Sequence, residues 1–138
     1  MGCRISRGVL AAIIADARAT PALERCGLLL GQGDDILDWQ AAANVHADPA
    51  RHFELDPAAL IAAERAARGP SGAGRQVLGH YHSHPAGAAA PSLDDAAAAA
   101  PDGRLWLIIN ANEVSLWRSV ADGERHGRFC AEPLAILD

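Results

Sequence analysis

The apolar residues of this chain fall into short segments whose spacing changes from helix-like to strand-like along the sequence. Within residues 6–19 the large apolar side chains recur every three or four positions, which predicts a first helix. Two apolar runs follow at 26–30 and 35–42, separated by a glycine-containing turn, and they predict two strands of a hairpin. The predicted opening elements are therefore one helix and one pair of antiparallel strands.

The later segments continue this alternation. Asp56 followed by Pro57 predicts a second helix that runs to about residue 68, because Asp is a good N-cap and Pro suits the first helical position. A flexible glycine-rich loop is predicted at 69–74 and a strand at 76–82. The remaining predicted elements are a third helix at 93–100 and strands at 105–110, 114–120 and 125–132.

The order of these elements predicts the fold class. Helices that alternate with strands, but not as a regular βαβ series, indicate an α/β domain with a mixed central β-sheet flanked by helices. A length of 138 residues suits one domain, so residues 1–138 are expected to form a single domain. Half of the residues are hydrophobic. Because many of these are alanine, the core is expected to consist of small side chains on tightly packed helices.

Charge and cysteine content exclude several possible functions. The formal net charge of −5 and the scattered basic residues argue against nucleic-acid binding. No apolar run approaches membrane-spanning length, so no membrane association is expected. The three cysteines form no CxxC pair, which argues against a disulfide framework and against a cysteine zinc site. They indicate a reducing compartment, and a cytoplasmic location is expected.

Three of the six histidines lie within five positions, at His80, His82 and His84 in the stretch GHYHSHP. Every second side chain of a strand points to the same face, so neighbouring members of this set can converge on one ion. The outer pair would have to reach across about 13 Å of backbone, which makes two imidazole ligands the natural number. Pro85 holds the residue before it in an extended conformation, which keeps His84 beside His82.

A catalytic zinc site uses three protein ligands and keeps one position open. Asp94 or Asp95, at the start of the predicted third helix, can supply the third ligand. Asp95 is favoured because it shares a helix face with Ser92 at spacing i, i+3. The same two residues have the spacing of a capping box, and this structural role does not exclude the functional one.

Hydrolysis at such a site also needs a general acid or base. Glu24, at the edge of the first predicted hairpin, is one candidate. Glu54, Glu64 and Glu113 lie on a loop, a helix and a hairpin tip, and spacing alone does not choose among the four carboxylates.

The pattern His82-Ser83-His84-Pro85, six residues, and then Ser92-x-x-Asp95 resembles the JAMM, or MPN-plus, family of zinc metallopeptidases. The early stretch ERCGLL and the stretch HFELDP are similar to compact prokaryotic JAB-domain members. The resemblance implies a cytidine-deaminase-like α/β fold and a Zn²⁺ ion bound by His82, His84 and Asp95. It further implies that Glu24 is the general acid/base and that Ser92 stabilises the oxyanion.

The resemblance also implies an activity and a class of partner. Members of the family hydrolyse a peptide or isopeptide bond, and the expected substrate is a ubiquitin-like or sulfur-carrier protein cut after its C-terminal Gly-Gly. A non-catalytic MPN-type scaffold is the alternative. A zinc hydrolase or deaminase that acts on a small molecule is a third possibility, but the PCxxC ligands of related deaminases are absent. Outside the site, His80 is expected to pack behind the ligands and Tyr81 to pack on the opposite face of the sheet.

Overall fold

The computed structural model describes residues 2–69 and 75–138, so the loop predicted at 69–74 lies outside the described residues apart from Gly69. The described residues form eight strands and three helices. In chain order these are β1 (Cys3–Ser6), α1 (Arg7–Arg18), β2 (Cys26–Gln32), β3 (Asp35–Ala42), α2 (Pro57–Arg68), β4 (Gln76–Ser83), α3 (Leu93–Ala98), β5 (Leu105–Ile109), β6 (Val114–Gly123), β7 (Gly127–Ala131) and β8 (Leu134–Leu137).

All of these strands belong to one mixed sheet with the order β7-β6-β5-β4-β2-β3-β1-β8. β4 lies near the middle of the sheet, antiparallel to β2 and parallel to β5. The C-terminal end of β4 and the N-terminal end of β2 therefore lie side by side. No helix among the described residues is long and apolar enough to cross a membrane.

The first two helices begin where their caps predict. Ser6 Oγ accepts a hydrogen bond of 3.1 Å from the backbone N–H of Val9 and caps α1. Asp56 caps α2 through its bond with the N–H of Ala58, at 3.1 Å, and Pro57 is the first residue of that helix. The predicted helices at 6–19 and 56–68 are confirmed, with ends that differ by one residue.

Two strands were not predicted. β1 and β8 have only four residues each, so they carry too little alternation to be recognised from sequence. They form because β1 pairs in parallel with both β3 and β8, bringing Ile5 beside Ile36 and Ile136. This pairing is made between distant parts of the chain and extends the sheet from six predicted strands to eight.

The core is built differently from the expectation of small side chains on helices, which was wrong. The largest fully buried side chains are mostly strand residues, among them Tyr81, Phe129 and Leu107, whereas the alanines in the buried core are Ala17, Ala63 and Ala89. The alanine-rich helices are short and each has exposed residues along its length. A sheet with branched and aromatic side chains supplies the buried apolar surface instead.

Candidate metal centre

His82 and His84 lie at the C-terminal end of β4 and just beyond it. Their Nε2 atoms are 3.0 Å apart, and the side chain of His82 is fully buried. The backbone N–H of His84 donates to the carbonyl of Ile109, at 2.8 Å, which continues the parallel pairing with β5 past the last residue of the strand. The structure therefore brings both histidines of the His-x-His pair to one point.

Asp95 completes a group of three. Its Oδ2 atom is 3.4 Å from Nε2 of His82 and 3.3 Å from Nε2 of His84. The carboxylate is held by the start of α3, where Ser92 and Asp95 form a capping box: Oδ2 accepts from the N–H of Ser92 at 2.9 Å, and Ser92 Oγ accepts from the N–H of Asp95 at 3.0 Å. Asp95 therefore caps α3 and at the same time directs its carboxylate toward the two histidines.

These three distances fit a tetrahedral metal ion. Ligand atoms at 2.0–2.1 Å from zinc lie about 3.3–3.4 Å apart in a tetrahedron, and the observed separations are 3.0, 3.3 and 3.4 Å. The tautomer of His84 also fits, because its Nδ1 is 2.8 Å from the carbonyl of Ala88 and must carry the proton there. Nε2 of the neutral ring then offers a lone pair to the shared point. Burial lowers the pKa of His82, which favours its neutral, ligating form.

Glu24 is the carboxylate that the structure brings to this group. One oxygen of Glu24 and one nitrogen each of His82 and His84 lie within 4.8 Å of one another. The antiparallel register pairs Cys26 with His82, and the N–H of Ser83 donates to the carbonyl of Arg25 at 3.0 Å. Glu24, the residue before Arg25, therefore comes to the end of β4 from which His84 follows. Burial raises the pKa of the Glu24 carboxyl to about 7.

The three other candidate carboxylates do not join the group. Glu64 forms an ion pair with Arg104 at 2.6 Å. Glu54 and Glu113 are exposed, on the segment before α2 and on the turn between β5 and β6. Among the described residues, Glu24 is therefore the one of these four carboxylates that lies beside His82 and His84.

Aromatic residues pack around the candidate ligand His82. The rings of His80 and Phe53 have centroids 5.0 Å apart, and His80 contacts Trp106 edge-on at 4.3 Å. His80 thus packs in an aromatic cluster behind His82, as expected. Tyr81 is fully buried on the opposite side, against Trp39 at 6.1 Å.

Residues 85–91 connect the histidines to Ser92 and lie against neighbouring elements. The carbonyl of Gly87 accepts from the side chain of Asn110 at 3.2 Å, and the carbonyl of Ala89 accepts from the hydroxyl of Ser115. The carbonyl of Pro91 accepts from Arg125 Nε at 2.8 Å, and Nε2 of His126 lies 3.1 Å from it. His126 therefore helps to hold the residue next to Ser92.

Two surface grooves reach this group. One of about 330 Å³ is lined by Ser83, His84 and Pro85 together with the end of α1. The other, of about 450 Å³, is lined by Ser92, Asp95 and residues of the segment before α2. An extended chain can therefore approach the imidazole and carboxylate atoms from the surface.

Known proteins share much of this sequence and fold. Residues 6–120 match the family described as prokaryotic homologs of the JAB domain. A desampylase from Haloferax volcanii is 34% identical over 94 residues, which are 67% of this chain and 66% of that protein. The chain thus spans slightly less than two thirds of the length of this relative.

Solved structures share the fold. The solution structure of protein DSY2949 from Desulfitobacterium hafniense matches with a TM-score of 0.80 and 28% identity, over 99% of this chain and 93% of that one. A structure described as a JAMM metalloprotease-like zinc site in the proteasome and signalosome matches with a TM-score of 0.58 and 20% identity over all of both chains. The predicted mixed α/β fold with a mixed central sheet is confirmed. The chain belongs to the family of prokaryotic homologues of the JAB domain, the JAMM/MPN type that its His-x-His-Pro and Ser-x-x-Asp pattern resembles.

Proposed function

We propose that this protein is a zinc-dependent hydrolase that cleaves a peptide or isopeptide bond after the C-terminal Gly-Gly of a ubiquitin-like or sulfur-carrier protein. One observation carries the proposal: Nε2 of His82, Nε2 of His84 and Oδ2 of Asp95 lie at the mutual distances of three tetrahedral zinc ligands, with the Glu24 carboxylate beside them. Family membership supports the same reading.

In this proposal His82, His84 and Asp95 hold Zn²⁺. The ion, when bound, lowers the pKa of a water molecule and polarises the substrate carbonyl. Two imidazoles and one carboxylate are the donor set of a catalytic site that keeps one position open. The protein contributes the fixed geometry of these donors, because a capping box holds Asp95 and β-sheet pairing holds the histidines.

Glu24 is the proposed general acid/base. Its carboxylate takes a proton from the attacking water and returns it to the leaving nitrogen. Burial raises the pKa of this carboxyl to about 7, which makes the carboxylate a stronger base than that of an exposed glutamate. Burial, which raises this pKa, also keeps bulk water away from the proton.

Ser92 is the proposed oxyanion donor. Its Oγ already accepts a hydrogen bond from the N–H of Asp95, so its own O–H is directed elsewhere. That O–H can donate to the substrate carbonyl oxygen as negative charge develops on it. The N-cap position keeps the hydroxyl at a defined place at the end of α3.

A ubiquitin-like substrate is supported by the relative named desampylase. The segment 85–91 between His84 and Ser92 consists of alanine, glycine and proline, and its carbonyls are tied to Asn110, Ser115 and Arg125. A substrate tail that lies along this segment can approach it closely where the tail residues are glycine.

The three cysteines are free thiols, which supports a reducing compartment, and we propose the cytoplasm.

The test uses a sulfur-carrier protein extended beyond its Gly-Gly end, together with the same protein carrying Ala-Ala instead. We expect release of the extension from the first and at least about tenfold slower release from the second. A chelator should abolish cleavage and added Zn²⁺ should restore it. Equal cleavage of both substrates contradicts the Gly-Gly preference. Zinc-loaded protein that cleaves neither substrate favours the alternative, a non-catalytic scaffold.

A further inference from the structure

The side chain of Asn44 joins four points of the backbone around the candidate site. Its Nδ2 donates to the carbonyl of Glu24 at 2.8 Å and to the carbonyl of His52 at 3.0 Å. Its Oδ1 accepts from the N–H of His46 at 3.1 Å and from the N–H of Glu54 at 3.0 Å. A primary amide has two N–H donors and two lone pairs, so this side chain uses its full hydrogen-bonding capacity.

These bonds matter because Glu24 precedes β2. The ladder of β2 with its neighbours begins at Cys26, and the two backbone groups of Glu24 bind the segment 44–56 instead. The N–H of Glu24 donates to the carbonyl of Pro49 at 2.7 Å, and its carbonyl accepts from Asn44. The direction in which the Glu24 side chain leaves the backbone is therefore set by this segment.

The same segment also contacts a ligand candidate. Phe53 lies between two of the residues that Asn44 binds, and its ring stacks on the imidazole of His82 at 4.2 Å. Asn44 is thus bonded on one side to the backbone of the proposed acid/base and on the other to the backbone on both sides of Phe53.

We propose that Asn44 is a positioning residue that holds the Glu24 carboxylate at its working distance from the His82, His84 and Asp95 atoms. The inference rests on the proposed function. Asn44 acts through the Glu24 backbone, because its four side-chain hydrogen bonds all go to backbone groups. A displacement of about 1 Å in a reacting group can cost about a hundredfold in rate, so the effect of losing this hold is measurable.

Asn44→Asp is the most selective variant. It keeps the size of the side chain and an acceptor oxygen, but it loses both N–H donors and places a carboxylate oxygen against the carbonyls of Glu24 and His52. We expect kcat to fall about 10- to 100-fold, with KM and zinc content unchanged. Asn112→Asp, the same substitution on the exposed turn after β5, is the matched control and should behave as wild type.

A double-mutant cycle tests whether Asn44 acts through Glu24. In a Glu24→Gln background, Asn44→Asp should reduce kcat by less than about twofold, because the group that it positions is already disabled. A full additional loss in that background overturns the inference. If Glu24→Gln alone leaves activity intact, the proposed function fails in its mechanism, and the two failures are thereby distinguished.

Amide hydrogen exchange supplies a readout without turnover. In Asn44→Asp the Glu24 N–H should exchange at least about tenfold faster, while the N–H of Leu107 in β5 keeps its protection. If exchange becomes equally faster at Glu24 and Leu107, the role of Asn44 is purely structural and the inference is overturned. Unchanged protection of the Glu24 N–H together with full kcat also overturns it. Asn44→Ser, which shortens the side chain without adding a charge, should reproduce the loss of kcat.

Discussion

The phenyl ring of Phe53 lies nearly parallel to the imidazole of His82, with ring centroids 4.2 Å apart and 16° between the planes. Trp106 meets the same imidazole edge-on at 5.7 Å. Nδ1 of His82 is buried without a hydrogen-bond partner among the described residues. Metal-binding histidines are usually oriented by a hydrogen bond from the second nitrogen, so at the proposed metal site ring packing would take over that role.

This arrangement predicts that Phe53→Leu weakens zinc binding by about 10- to 100-fold, the usual effect of losing a residue that orients a ligand. Competition with a chromophoric chelator measures the affinity. Phe129→Leu is the control, because Phe129 packs against the same Trp106 at 5.0 Å but is not stacked on His82. Equal weakening by both substitutions would mean that the loss reflects general destabilisation.

The ligand assignment predicts how metal content responds to substitution. Purified without chelators, the protein should hold about one Zn²⁺ per chain. His82→Ala and Asp95→Ala should remove most of the metal, because each removes one of three ligands, while His80→Ala should retain it. Elemental analysis of the purified variants decides this. An empty site in His80→Ala together with a full site in His84→Ala would contradict the assignment.

The proposed acid/base role of Glu24 predicts loss of turnover without loss of metal. Glu24→Gln keeps the shape of the side chain but cannot accept the proton, so turnover should fall by roughly two to four orders of magnitude, with zinc bound and the fold intact. Glu54→Gln, on the exposed segment before α2, is the control and should remain active. The opposite result would move the acid/base role from Glu24 to Glu54.

The close packing of Gly79 in β4 predicts that a larger residue at this position destabilises the protein. Its φ is 159°, and a Cβ built there would lie 2.0 Å from the carbonyl oxygen of Leu105 in β5. Gly79→Ala should therefore lower the free energy of unfolding by about 1–3 kcal/mol or more, because β4 and β5 must separate. Gly8→Ala, where nothing lies within 4 Å, should be neutral or slightly stabilising. Urea denaturation compares the two variants.

The buried thiol of Cys26 predicts that the free energy of unfolding depends on pH in alkaline solution. Burial raises its pKa from 9.0 to about 12, so the folded state keeps a proton that the unfolded chain releases. This contribution to stability is fully present below pH 9 and is lost as the pH rises toward 12, by up to about 1.4 kcal/mol per pH unit. The free energy of unfolding of Cys26→Ser should decline less steeply over that range. Parallel curves for the two proteins would show that Cys26 does not titrate in this way.

The amino-acid sequence by itself determined the elements that depend on local chemistry. The helices near 7–18 and 57–68 begin at side chains that bond to their own first turn, so their caps can be read from neighbouring residues. The alternation of His82 and His84 with the following Pro85 likewise identified a pair of side chains on one face. The capping-box spacing of Ser92 and Asp95 is local for the same reason.

Tertiary structure alone decided everything that joins distant segments. β1 and β8 exist only because they pair with each other and because β1 also pairs with β3. Glu24, and not Glu54, Glu64 or Glu113, lies beside the histidines because β2 pairs with β4 and the segment 44–56 binds the Glu24 backbone. Asn44 and Phe53 acquire their places around the site in the same way. A single sequence shows which side chains could do the chemistry, but strand register and burial determine which of them come within reach of one another.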